Sequence, residues 1–268
     1  MRAVRERIPV VTQRSARGRR AVARGLWTGA ELVVTLGVVL LLLVVHQLWW
    51  TNRQARAGAG DEVRSLQREW AVGRADTDGD GDGDRGGNAG GSGDGRAGGG
   101  KHGGGGGGGG PGGRTEPRGD QAYAVIRIPR LGLVAPVAQG IDKRGVLDKG
   151  YVGHYPGTAQ PGRPGNFALA GHRNTHGEPF RYINRLRRGD RIAVETRDAV
   201  YTYTVDRTLA RTSPRDGGVV AAVPRSNLAP YPGYHRAGSY VTLTTCTPEF
   251  TSRYRLVVWG KLVETRTR

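Results

Sequence analysis

The sequence predicts an all-β domain of the barrel or sandwich class, carried behind a membrane-spanning helix and a glycine-rich linker. Three observations predict it. Between residues 120 and 268, short apolar runs recur, several with two-residue alternation, and Gly and Pro punctuate them. From Leu32 to Trp50 an apolar run is interrupted only by Thr35, His46 and Gln47. From residue 73 to about 119, apolar side chains almost vanish and more than half of the 46 glycines gather.

The apolar run follows a basic start. Residues 1–30 form a basic N-terminus with eight arginines and one glutamate before residue 25. The span is assigned to 31–50. Nineteen helical residues reach about 28 Å, close to the roughly 30 Å hydrocarbon core of a bilayer. Trp49 and Trp50 stand where an interfacial aromatic belt lies, and the preceding arginines put the N-terminus in the cytoplasm. All that follows Trp50 is then outside, after a single pass. A buried core helix would be less uniformly apolar. Beyond the weak Ala55–Ala59 stretch no small-x-small cleavage site follows, so an uncleaved signal anchor is expected.

Residues 51–119 read as an extracellular linker. Its first part, 51–72, has the composition of a short polar helix. From 73 onward it has too few apolar groups to offset chain entropy and is expected to be a disordered tether. The run Asp76–Asp84, DTDGDGDGD, alternates acids like a calcium loop but lacks the closing glutamate and the flanking helices. No metal and no cofactor are expected.

The folded domain is assigned to 120–268, long enough for one core. YAVIRIPRLGLVAPV reads as two strands around a Pro-Gly turn, and GNFALAGH as a short buried strand. RIAVETRDAVYTYTVDRTLA reads as a hairpin turning at Arg197-Asp198, and SYVTLTTC and YRLVVWGKLVE as two further strands. Helical stretches are few: 179–187 and part of 213–228.

One thiol, Cys246, occurs in the whole chain. It cannot form an internal disulfide, so it is a small core residue or a nucleophile. An unpaired thiol kept outside the membrane points to use of its chemistry. Nucleophilic catalysis needs a thiolate, a proton carrier and a cation or donor for the oxyanion. His172 leaves an apolar strand in LAGHRNTHGEPF, as Cys246 ends one in TLTTC. Arg253 and Arg255 begin the next strand and share one of its faces. His154, in GHYPG, reads as structural, His176 and His235 as solvated turn residues, and His102 as part of the tether.

TLTTCTPEF followed by RYRLVVWG resembles the sortase signature, TLxTC with an arginine heading the last strand. GNFALAGHR resembles the sortase histidine motif. GHYPGTAQPGRPGN and EPFRYINRLRRGD fit the same family in the same order, so the resemblance covers about 122–264. The pattern is most similar to class E sortases of Gram-positive actinobacteria. The resemblance implies an eight-stranded sortase-type β-barrel with short helices and a cysteine transpeptidase. Such an enzyme cleaves a C-terminal sorting signal of LAxTG or LPxTG type between Thr and Gly, through a Cys thioester. It passes the protein to a peptidoglycan-precursor amine. By resemblance, Cys246 is the nucleophile, His172 the proton carrier and Arg255 the group that holds substrate and oxyanion. Arg255 is preferred because the family arginine directly precedes the hydrophobic strand, here LVV, and Arg253 is the alternative. The segment 211–239 corresponds to the family's groove-shaping loop, with the tyrosines of YPGYHR as candidate lining.

The expected partners are surface proteins bearing the signal, the precursor amine and the cytoplasmic membrane. The net charge of +18 also favours anionic neighbours such as wall polymers or lipid headgroups. Nucleic acid is not expected, because the basic N-terminal run is short and has no readable fold. Two other readings stay open on the residues: a tethered module that binds anionic polymer with an inert cysteine, and a cysteine peptidase of the same fold that releases substrate to water. The L,D-transpeptidases place His and Cys in one short motif, which is lacking here.

Overall fold

The computed structural model describes residues 16–79, 117, 119–229 and 233–268, and the chain divides into two compact units, Met1–Trp50 and Thr51–Arg268. One helix, α1 (Ala16–Gly79), supplies the described part of the first unit and continues into the second. In the first unit the apolar side chains from Leu32 to Val45 and those of Trp49 and Trp50 are exposed, and the helix is long and apolar enough to cross a membrane. The Thr35 hydroxyl donates to the Glu31 carbonyl at 2.8 Å. That bond satisfies the hydroxyl within its own helix, as hydrocarbon surroundings require.

The second unit is built on a closed barrel of eight strands. They are β1 (Ala122–Ile128), β2 (Leu133–Gln139), β3 (Val152–His154), β4 (Gly165–Ala170), β5 (Arg191–Glu195), β6 (Ala199–Thr212), β7 (Ser239–Thr247) and β8 (Tyr254–Thr267). Their order around the barrel is β1-β2-β3-β4-β7-β8-β6-β5. The pairs β2/β3 and β4/β7 are parallel, the others antiparallel, and β5 closes on β1. Closure leaves no edge strand open to another chain. The interior is filled from alternating positions, among them Ile126, Val137, Leu169, Ile192, Leu243 and Val258.

The strands expected from the sequence are present. β3 was not foreseen, because three residues are too short to show a period. The helices expected at 179–187 and 213–228 shrink to 3-10 turns, Ile183–Arg185 and Gly217–Val220. The reason for the first is its spacing. Phe180, Ile183 and Leu186 are buried at every third position, the period of a 3-10 helix rather than an α-helix.

The compact unit that holds the barrel begins at Thr51, within the stretch expected as linker. Ala59, Val63, Leu66 and Trp70 fall on one stripe of α1 and are buried. The last three pack with Ala122, Val125, Ala138 and Val146, on the outer side of β1 and β2. A register shift between Ala122 and Ala124 lets β1 offer both Ala122 and Val125 to this layer. The stretch 51–72 is thus an amphipathic helix seated on the barrel, not linker. The tether expected from 73 begins in this same helix. Residues 80–116, most of the Asp76–Asp84 run and the first fifteen residues lie outside the described residues.

Candidate active site

Strand alternation sorts the side chains around Cys246. On β7, Val241 and Leu243 enter the core, so Thr242, Thr244 and Cys246 face outward. On β8, Leu256 and Val258 point in, while Arg255, Val257 and Trp259 point out. β7 and β8 are antiparallel, and Cys246 stands directly opposite Arg255. Cβ atoms of such a pair lie about 4.5–5.5 Å apart. Cys246 is half-buried. The Arg255 guanidinium donates through Nη1 to the carbonyls of Ser252 (3.0 Å) and Tyr254 (3.1 Å). Arg253 precedes β8, is exposed, and lies over the Tyr254 ring at 5.3 Å.

His172 arrives from the neighbouring strand. β4 runs parallel to β7 with Ala170 opposite Thr244. The ladder continues past β4: Gly171 N donates to Thr244 O at 3.2 Å, and the Thr245 hydroxyl donates to Gly171 O at 2.8 Å. His172 and Cys246 therefore follow two residues after the same register point, on strands about 4.8 Å apart. The structure brings His172, Cys246 and Arg255 to one end of three adjacent strands, β4-β7-β8.

Two partners were missed from the sequence. The 3-10 helix Leu147–Lys149 carries Asp148, which accepts a hydrogen bond from His172 Nε2 at 2.7 Å. Nothing in DKRGVLDKG marks that carboxylate, 24 residues before the histidine. Arg173, next to His172, is buried with only 7% of its side chain exposed, and donates to the Cys246 carbonyl (3.2 Å) and the Thr247 hydroxyl (2.8 Å). It also lies 3.6 Å from Glu249. Its only sequence signal is its place in AGHR.

The other histidines separate cleanly. His154 is fully buried among Tyr123, Gln139, Thr158 and the Ala159 carbonyl. Burial lowers its pKa to about 4, so it is neutral near pH 7 and structural. His235 is exposed, as expected, and His102 lies outside the described residues. His176 departs from expectation. It lies in a turn but is half-buried rather than solvated: its ring is tilted by 32° to that of His172 at 5.3 Å between centroids, with Nδ1 3.6 Å from Asp148.

The segment between β6 and β7 covers part of the outward face of β7 and β8. The Val219 carbonyl accepts from Trp259 Nε1 (3.1 Å) and the Thr242 hydroxyl (3.3 Å). Asp216 holds the segment together, accepting from Thr212, Ser226 and the Asn227 amide. Burial pushes the Asp216 carboxyl up, but these donors outweigh it and hold it below the usual range. Tyr234 is mostly buried, stacks on Tyr240 at 4.1 Å, and lines a pocket with Arg207, His235, Tyr240 and Lys261. Tyr231 lies outside the described residues.

Similarity to known proteins matches this arrangement. Residues 126–263 match the family model described as Sortase domain. Sortase SrtE1 of Streptomyces coelicolor is 42% identical over 266 residues, covering 97% of this chain and 64% of that protein, so the chain spans somewhat under two thirds of its length. Sortase SrtE2 of the same organism is 32% identical over 251 residues, covering 92% of this chain and 85% of that protein. A crystal structure of sortase E1 from Streptomyces coelicolor with a tripeptide in the active site shares 52% identity and a TM-score of 0.50. It covers 56% of this chain and 92% of that one.

Proposed function

Since the chain belongs to the sortase family, we propose that it is a membrane-anchored cysteine transpeptidase that attaches proteins bearing a C-terminal sorting signal to a cell-wall precursor amine. The observation that carries the proposal is the pairing of Cys246 with Arg255 across β7 and β8, with His172 leaving the parallel neighbour β4. A thiol, a fixed cation and a proton carrier then share one strand end, which is what acyl transfer requires.

The steps follow from these positions. Cys246 gives its proton to His172 and its sulfur attacks the Thr carbonyl carbon of the signal. Arg255 donates to the oxyanion. The Thr–Gly carbon–nitrogen bond breaks as His172 returns the proton to the departing Gly amine, leaving a thioester on Cys246. An incoming amine attacks that carbonyl, His172 takes its proton, and the carbon–sulfur bond breaks to free the thiolate. Asp148 holds the His172 ring through its Nε2 bond. Arg173 fixes the Cys246 backbone through its carbonyl.

The helix from Leu32 to Trp50 supports a single-pass anchor with the basic N-terminus inside and the catalytic unit outside. An LAxTG-type signal is the proposed preference, from the resemblance to class E sortases.

Incubating the full chain in detergent with a sorting peptide, with and without a triglycine amine acceptor, tests the reading. The expected product with acceptor is the joined peptide, absent in Cys246→Ala. Cleavage that yields only the free acid, whatever the acceptor concentration, assigns the chain to hydrolysis instead.

A further inference from the structure

Asp148, His172 and His176 place one ligand-type atom each within 4.8 Å of one another. From this cluster we infer a transition-metal site, selective for Zn²⁺-type ions, whose occupation removes His172 from catalysis. The atoms are His172 Nε2, Asp148 Oδ1 and His176 Nδ1. Two imidazoles and a carboxylate make a three-ligand zinc set, a water being the usual fourth ligand. Imidazole ligands select zinc, copper or nickel over calcium and magnesium.

The distances fit. Zn²⁺ binds nitrogen and oxygen at about 2.0–2.2 Å, so tetrahedral ligand atoms stand roughly 3.4 Å apart. The cluster has 2.7 Å between His172 and Asp148, 3.6 Å between Asp148 and His176, and at most 4.8 Å between the two imidazole nitrogens. Side-chain rotation brings the three to the metal geometry. His176 supplies the independent sign of a ligand. Its Nδ1 is buried with no hydrogen-bond partner, and 3.6 Å from Asp148 it is too far for one. A buried nitrogen facing a carboxylate and a second imidazole gains most by binding a cation.

The backbone holds this arrangement open. His176 and Glu178 adopt φ of 51° and 54°, in the left-handed region that non-glycine residues avoid. The helix clamps that turn. The Gly177 amide donates to Asn52 Oδ1 (2.6 Å), and Arg56 donates to the Gly177 carbonyl (3.1 Å) and to Glu178 (2.9 Å). When the metal binds, His172 takes the Nδ1–H tautomer and gives its Nε2 lone pair to the ion. With Nδ1 protonated and Nε2 on the ion, the ring has no lone pair left to take the Cys246 proton. This inhibitory half rests on the proposed transpeptidase; the binding half does not.

The test begins with the full Cys246→Ala chain in detergent, which has no thiol to capture metal. Zinc chloride is titrated in a non-chelating buffer and read by calorimetry, with calcium chloride as the control. One zinc per chain is expected, weakened at least about tenfold in His176→Ala and in His176→Asn, and no calcium heat. In the Cys246 protein, zinc should suppress peptide joining and EDTA restore it. His176→Ala should need at least about tenfold more zinc for the same fractional loss of its own activity. No stoichiometric zinc uptake, or uptake unchanged in both folded His176 variants, overturns the site. Joining that persists at saturating zinc overturns the inhibitory role. If no condition gives joining, the proposed function fails while calorimetry still decides the site.

Discussion

At Cys246 the residue-scale consequence is a division of labour that mutation can separate. Arg255 faces Cys246 across the ladder, whereas Arg253 lies outside β8 over a tyrosine ring. Arg255→Ala should lower kcat/KM about 10²–10³-fold, the loss typical of one oxyanion donor, and Arg253→Ala should change it little. Peptide kinetics on both variants checks this; equal losses would reassign the role. His154 makes a prediction about stability rather than rate. Its folded pKa, about 4, lies below the unfolded value near 6.5. The unfolded chain therefore binds the extra proton, and stability is complete above pH 6.5 and lost as pH falls toward 4. Between pH 7.5 and 5 the loss from this group is about 2 kcal/mol. Urea unfolding at the two pH values should show a smaller difference in His154→Asn than in the parent. Cys246, His172 and Arg255, the proposed catalytic residues, were legible as candidates because each sits in a contiguous motif. Asp148 and His176 were not, because their roles arise from a turn folding back across 24 and 4 residues, which no local pattern encodes.

Among the elements, α1 changes most between sequence and structure. Its stripe of Ala59, Val63, Leu66 and Trp70 is diluted by arginines and acids, so the composition of 51–72 reads polar while one face is apolar. A fully buried large side chain contributes about 1.5–3 kcal/mol. Val63, Leu66 and Trp70 together then contribute about 5–9 kcal/mol toward holding the helix on the barrel. Trp70→Ala should cost about 3 kcal/mol and lower Tm by roughly ten degrees in thermal unfolding. An unchanged Tm would mean the helix does not dock. The same helix clamps the turn after His172 through Asn52 and Arg56. Loss of that clamp in Arg56→Ala should reduce kcat more than it raises KM, because the turn bears on the proton carrier rather than the peptide. The strands were read correctly where they alternate or end in a motif. β3 escaped because its partners, not its three residues, make it a strand.

For the whole molecule, the closed barrel fixes the strand ends that carry the proposed catalytic residues, and the apolar helix is long enough to cross a membrane. The chain has one cysteine, so a membrane-impermeant maleimide added to intact cells reports topology without interference. Labelling of the wild type, absent in Cys246→Ala, is the outcome that an outside catalytic unit demands; labelling only after lysis would reverse the orientation. The fold class was visible at this scale because Gly and Pro turns separate the strands. The division between the two compact units at Thr51 leaves no mark in the sequence because it lies within one continuous helix. Whether Cys246 carries the acyl group is tested most directly by intact-mass spectrometry of the chain in detergent. It is incubated with LAxTG and LPxTG peptides and no acceptor. The predicted result is a mass gain equal to the peptide's fragment through Thr, larger with LAxTG and missing in Cys246→Ala. A folded protein that gains no mass with either peptide, or gains it equally without Cys246, would contradict a thioester mechanism.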